Sequence, residues 1–163
     1  LHWVNALLII SLVGLGCYMV GLTYYDRWYN ATLAWHKSLG LTALGLALLM
    51  IGWQWYNPPP GPLATMQHWE RWAAGVMRAV LLLLMLVIPI SGYLISTSAG
   101  QGVEFFGLMR VPALLDSGAR LRDGAIAVHF YTAYGIALLV LGHAGAALKH
   151  HFINRDDTLR RML

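Results

Sequence analysis

The chain has 163 residues, 58% of them hydrophobic and only 11% charged, with a mean hydropathy of +0.58. That balance excludes an ordinary soluble domain, and it removes the nucleic-acid reading that a formal charge of +4 would otherwise invite. Basic residues at the ends of apolar runs instead face lipid, or the phosphate and carboxylate groups of a cofactor.

Four charge-free runs approach the roughly 20 residues needed to cross a bilayer: 3–22, 39–56, 79–99 and 125–148. They predict one all-α domain over residues 1–163, an integral membrane four-helix up-down bundle. The first run, Trp3 to Leu22, is too long for a signal peptide and no small-residue cleavage site follows it. The start at Leu1 is read as the loss of a short N-terminal extension, which would put His2 deeper in its helix. Cys17, the single cysteine, permits no internal disulfide.

Tyr24, Tyr25, Trp28, Tyr29 and Trp35 then mark one membrane interface, and Trp53, Trp55, Tyr56, Trp69 and Trp72 the other. Pro58-Pro59-Pro60-Gly61-Pro62 ends the second run, His68 is expected in a solvated loop, and Pro89 predicts a kink in the third run. The segment from Gly100 to Asp123, with Glu104, Asp116 and Asp123 offsetting three arginines, is read first as a connector and second as a lid over a site beneath it. Four crossings leave both termini on one side. That side carries Arg71, Arg78, Lys149, Arg155, Arg160 and Arg161, against Arg27, Lys37, Arg110, Arg120 and Arg122 opposite, a narrow margin favouring cytoplasmic termini.

The histidines carry the chemistry. His129 and His143 lie fourteen residues apart in one apolar run, so both leave the same helix face, about 21 Å apart along the axis. Ionisable groups at such depth are costly and usually functional. His2 and His36 open two other runs. In an up-down bundle the starts of the second and fourth helices share one membrane face, which pairs His36 with His129. The start of the first and the end of the fourth share the other, which pairs His2 with His143. Neutral imidazole ligates haem iron, and a bis-histidine iron has no open position, so it carries electrons. The expected cofactors are two b haems on His2, His36, His129 and His143, with no catalytic residue as such.

Gly14, Gly16, Gly40, Gly45, Gly135, Gly142 and Gly145 leave room for a flat macrocycle, although close helix packing selects small residues too. Lys37, Arg71, Arg78 and Lys149 lie near helix ends, within reach of haem propionates or simply snorkelling. His150, seven residues after His143 and about 10 Å further out on the same face, is a candidate for propionate or quinone contact and a rival iron ligand. No phosphate-binding glycine loop, nucleophile–base pair or cysteine cluster is present.

At these residues the chain resembles the bacterial cytochrome b561 family of four-helix, two-haem membrane proteins. The matching strings are Leu1-His2-Trp3, His36-Lys37-Ser38-Leu39-Gly40, the proline-rich 58–62 segment, Ser91-Gly92-Tyr93-Leu94-Ile95-Ser96, and His129 with His143. The tail His150-His151-Phe152-Ile153 followed by Asp156-Asp157-Thr158-Leu159-Arg160-Arg161-Met162 matches as well. The resemblance implies the same four ligand histidines, cytoplasmic termini in the bacterial inner membrane and a quinone, ubiquinone, as electron partner. For some members it also implies oxidation of periplasmic superoxide, hence an oxidoreductase of the superoxide:ubiquinone type rather than a plain carrier. The chain departs from the family pattern at Met50 and Gln54, where arginines are usual, and at Arg78, where a histidine is frequent. These departures bear on propionate contacts and on the quinone site. Two rival readings are a cytochrome b anchor subunit of a dehydrogenase- or hydrogenase-like complex, and a haem-free metal or proton transporter. The lack of intramembrane carboxylates speaks against the transporter.

Overall fold

Each apolar run becomes a helix, and three of the four helices outlast the run that defines them. The computed structural model describes residues 1–58, 61, 63, 65–115 and 118–162. It contains α1 (His2–Val20), α2 (Tyr29–Tyr56), α3 (His68–Thr97) and α4 (Gly118–Lys149), with a hairpin of β1 (Val103–Phe105) and β2 (Met109–Val111) between α3 and α4. Helix α2 starts ten residues before its apolar run, α3 eleven and α4 seven, while α1 stops two short. The lipid core sets the length of the apolar window, whereas backbone hydrogen bonding continues into the interface. The 32 residues of α4 rise about 48 Å, well beyond a core of about 30 Å.

Two local expectations are corrected. His68 is not in a loop: it is the exposed first residue of α3. A capping box makes that start, since the Gln67 N–H donates to Glu70 Oε2 at 3.0 Å. The Gly100–Asp123 segment is not an irregular connector either. It folds into the antiparallel hairpin, in register Val103 with Val111 and Phe105 with Met109, and α4 already begins at Gly118. Phe106 and Gly107 both have positive φ at the turn, which favours glycine at the second of them. Of the proline-rich segment, Pro59, Pro60 and Pro62 lie outside the described residues, as does Asp116. Asn57 caps α2, and α3 runs on through Pro89.

Consecutive helices pack against one another and α4 returns to α1, which closes the bundle. Its centre is Ala47, Met85 and Ile136, flanked by Ile9, Val13, Met50 and Leu84. Leu7, Leu49, Leu83, Leu138 and Leu141 point outward and are largely exposed, as side chains meeting lipid rather than a protein core. Small residues, among them Ala43, Ala47 and Ala147, fill the contacts and let backbones approach. Past Lys149, α4 widens into a single π turn, His150–Asn154, closed by Arg155 in the left-handed region at φ 54°.

Candidate functional site

The bundle brings the four histidines together in two pairs. The His36 and His129 rings, from α2 and α4, lie 6.2 Å apart between centroids with planes at 71°. The His2 and His143 rings, from α1 and α4, lie 6.3 Å apart at 68°. Two imidazoles bound to opposite faces of one iron, each through a bond of about 2 Å, hold their centroids roughly 6 Å apart. Both pairs have that spacing.

Around His129 the fit is close. Its Nδ1 lies 2.9 Å from the Ile88 carbonyl oxygen and 3.2 Å from Ser91 Oγ, leaving Nε2 for a metal. A Cβ at position 92 would stand 3.1 Å from His129 Cε1 and 3.3 Å from its Nδ1, so glycine leaves the ring room that any side chain would crowd. A Cβ at Gly16 would likewise meet His36 Cε1 at 3.4 Å. His36 Nδ1 is buried with no hydrogen-bond partner among the described residues. The second pair is looser. His2 is exposed, His143 half-buried, and the nearest ring to His2 is Trp3 at 5.5 Å. One turn along, Asn5 is buried; its Nδ2 donates to Met50 Sδ at 3.6 Å, while its Oδ1 has no donor among the described residues.

These features suit haem b better than a bare ion. No group of three or more His, Cys, Asp or Glu side chains is placed to hold a metal ion among the described residues, so each site offers two imidazoles. A naked divalent ion wants at least four ligands, whereas a porphyrin brings its own four equatorial nitrogens. Open space at Gly14, Gly40, Gly45, Gly135 and Gly145 agrees with a large flat group, and each site keeps one buried polar atom unpartnered.

The expected contact residues fall into two sets. Lys37 is half-buried beside His36 and has no ion-pair partner among the described residues. Arg71, Lys149 and His150 belong to local networks at the terminal end. Arg71 Nε donates to the Met66 carbonyl at 3.0 Å. Lys149 Nζ donates to Glu70 Oε1 at 2.7 Å and sits 5.8 Å from the Trp69 ring centre. His150 is buried, with Nδ1 2.6 Å from Asp156 Oδ2 and Nε2 3.9 Å from Glu70 Oε1. Arg78 is exposed on α3. Burial alone would raise the Asp156 carboxyl, but hydrogen bonds from Thr158 and His150 outweigh it and hold the group down to about 2.

Sequence reasoning missed Ser91, Gly92, Asn5, Glu70 and Asp156 as parts of these sites. Ser91-Gly92 stood out only as a string shared with a family. Nothing in the spacing ties Glu70 to Lys149, 79 positions away. The hairpin was missed too, and it caps the His36–His129 end. Ser38 Oγ accepts the Phe106 N–H at 2.9 Å, Trp35 meets Phe106 edge to face, and Tyr93 Oη donates to the Pro112 carbonyl at 2.6 Å.

A family model described as prokaryotic cytochrome b561 matches residues 1–163. Cytochrome b561 homolog 2 of Escherichia coli (strain K12) is 42% identical over 162 residues, which cover 99% of this chain and 86% of that protein. Cytochrome b561 homolog 1 of the same strain is 27% identical over 174 residues, 100% of this chain and 92% of that protein. Probable superoxide oxidase CybB of Yersinia pestis is 30% identical over 175 residues, 100% of this chain and 91% of that protein. With four helices long and apolar enough to cross a membrane, the chain belongs to the prokaryotic cytochrome b561 family of bacterial multi-pass, haem-binding electron-transfer proteins.

Proposed function

We propose that this protein moves single electrons across the bacterial inner membrane, from a small periplasmic donor to ubiquinone, with one haem b at each membrane face. The observation that carries the proposal is the spacing of the two histidine pairs, 6.2 and 6.3 Å between ring centroids. His36 and His129 hold the haem distal to the termini, and His2 and His143 hold the haem on the terminal side. Haem b, when bound, supplies reversible one-electron chemistry at iron. The protein sets depth, ligand geometry and separation, with about 21 Å of rise between the two ligands on α4.

Superoxide is the donor we favour, supported by the 30% identity to the Yersinia pestis protein named a probable superoxide oxidase. Lys37 is its electrostatic guide and a partner for the propionates of the distal haem. Both termini are cytoplasmic, which the slight excess of basic residues on that side supports. The single membrane domain comprises residues 1–163.

Pyridine haemochrome titration of the purified protein tests the core of the reading. Two b haems per chain are expected; a colourless preparation, or one haem per chain, overturns it.

A further inference from the structure

Helix α1 turns one stripe of side chains toward the bundle interior. Ile9 and Val13 pack against the centre formed by Ala47, Met85 and Ile136, and Asn5 lies one turn before Ile9 on the same stripe. Among the described residues Asn5 is the one buried side chain of α1, at 4% exposed, and it is polar. A leucine would fill that place and leave nothing unpaired. Instead the amide reaches α2, where Nδ2 donates to Met50 Sδ at 3.6 Å. A thioether only accepts, so this contact puts the amide nitrogen on sulfur and turns Oδ1 elsewhere. Oδ1 is buried with no donor among the described residues. In apolar surroundings a buried acceptor without a donor costs stability, and packing gives no reason for it.

The same end of the bundle has the complementary need. An imidazole bound to a metal through Nε2 carries its proton on Nδ1 and nearly always donates it to an acceptor. His129 meets that rule at the other pair, with Nδ1 2.9 Å from the Ile88 carbonyl oxygen. Neither His2 nor His143 has a hydrogen bond among the described residues, although their rings stand 6.3 Å apart as a matched pair. Asn5 is placed to serve His2. Its backbone N–H closes the first turn of α1 on the Leu1 carbonyl at 3.1 Å. Helical side chains lean toward the N-terminus, so the Asn5 amide lies over the turn that carries His2, three residues back.

We propose that Asn5 is the positioning residue of the terminal-side pair: its Oδ1 accepts the Nδ1–H of His2 when Nε2 of that ring holds haem iron. The inference rests on the reading of His2 and His143 as ligands of a b haem. The bond holds an otherwise exposed ring, sets its tautomer and keeps Nε2 for the metal. It also gives the imidazole some anionic character, which favours ferric iron and lowers the potential of that haem. Met50 acts one step behind, by keeping the amide from turning over. The His36–His129 end is untouched by either residue.

Optical redox titration of the purified holoprotein tests the proposal. Two one-electron waves are expected, and the wave kept by His129→Ala belongs to the terminal-side haem. Asn5→Leu is close in volume and removes the acceptor. The ratio of reduced to oxidised terminal-side haem at a fixed potential should then rise about tenfold, an upward shift of about 59 mV. Asn5→Asp, measured at about pH 8, keeps the acceptor and adds charge, so the same wave should move down. Met50→Leu should give a smaller rise than Asn5→Leu. In all three the distal wave should stay put. An unmoved terminal-side wave in Asn5→Leu, with haem retained, overturns the proposal. Shifts of the same sign in Asn5→Leu and Asn5→Asp also overturn it, as do equal shifts of both haems, since either marks Asn5 as a packing residue. If Asn5→Leu does not take up haem, the sign of the Asn5→Asp shift decides alone. Failure of the underlying reading is distinct: the wild type would show a single wave, or His2→Ala would keep both.

Discussion

The two histidine pairs have nearly the same spacing and opposite surroundings. At the His36–His129 end the ring of His129 is fixed from three sides: the Ile88 carbonyl, Ser91 Oγ and the bare Cα of Gly92. The hairpin is pinned over that end through Ser38 and Tyr93. At the His2–His143 end neither ring has a hydrogen bond among the described residues, and His2 is exposed. The polar investment there lies one layer further out, in Glu70, Lys149, His150 and Asp156. One end fixes its ring through close neighbours, and the other keeps its hydrogen-bonded and charged groups one layer away.

The largest effect that bears on this contrast is removal of a ligand. His129→Ala or His36→Ala should lose about half of the reduced-haem absorbance and keep the terminal-side haem, while His143→Ala or His2→Ala should do the reverse. Potentiometric titration then identifies which haem remains. If His143→Ala keeps both haems and His150→Ala loses one, the terminal pairing is wrong.

Next comes Gly92→Ala. Its new methyl would press on His129 at 3.1 Å, against a ring anchored on its other side, so the distal haem alone should be lost or become high-spin. An optical spectrum identical to wild type would show that the ring is not held as tightly as the geometry indicates. Ser91→Ala should act in the same place more gently. Losing the neighbour at 3.2 Å leaves only the Ile88 carbonyl to polarise the imidazole, so the distal haem should rise in potential by a few tens of millivolts while the terminal-side haem stays put.

Acid should separate the two ends in another way. The Asp156 carboxyl is held at about 2 in the folded chain against an ordinary 3.8, so the folded state binds fewer protons than the unfolded one. Its contribution to stability is complete above about pH 4 and disappears as pH falls through 2. Asp156→Asn should therefore lower the melting temperature at pH 5 to 7 and flatten its fall in acid; an unchanged acid limb would mean that other groups control it. The smallest effect expected is at the entry side. Lys37→Glu should slow haem reduction by superoxide a few-fold with haem content unchanged, and added salt should slow the wild type. Rates indifferent to both would point to a neutral or protein donor.

What could be read from the sequence was what the membrane dictates. Four charge-free runs and four histidines at two depths gave the bundle and the pairs that meet in space, because depth in a bilayer is nearly linear in residue number. Helix ends escaped, since Tyr29 to Ser38 and His68 to Arg78 mix polar, charged and aromatic residues among the apolar ones yet are still helical. The hairpin escaped because each of its strands has only three residues. Glu70 and Asp156 escaped for a different reason. Their partnership with His150 depends on a π turn and a left-handed arginine, features with no compositional trace.

Helix α4 supplies one histidine to each pair, fourteen residues apart, and this makes it a ruler. Were each pair to hold a haem, as proposed, tilting or sliding α4 would carry both sites together, and the distance an electron crosses between them would be set by one helix. Movements of α1 or α2 would shift the histidine of a single pair. Deleting one residue between His129 and His143 would shorten the gap by about 1.5 Å but rotate one ligand by about 100°, breaking that site outright. The spacing is therefore protected against small drifts in length: the register either survives intact or a site is lost.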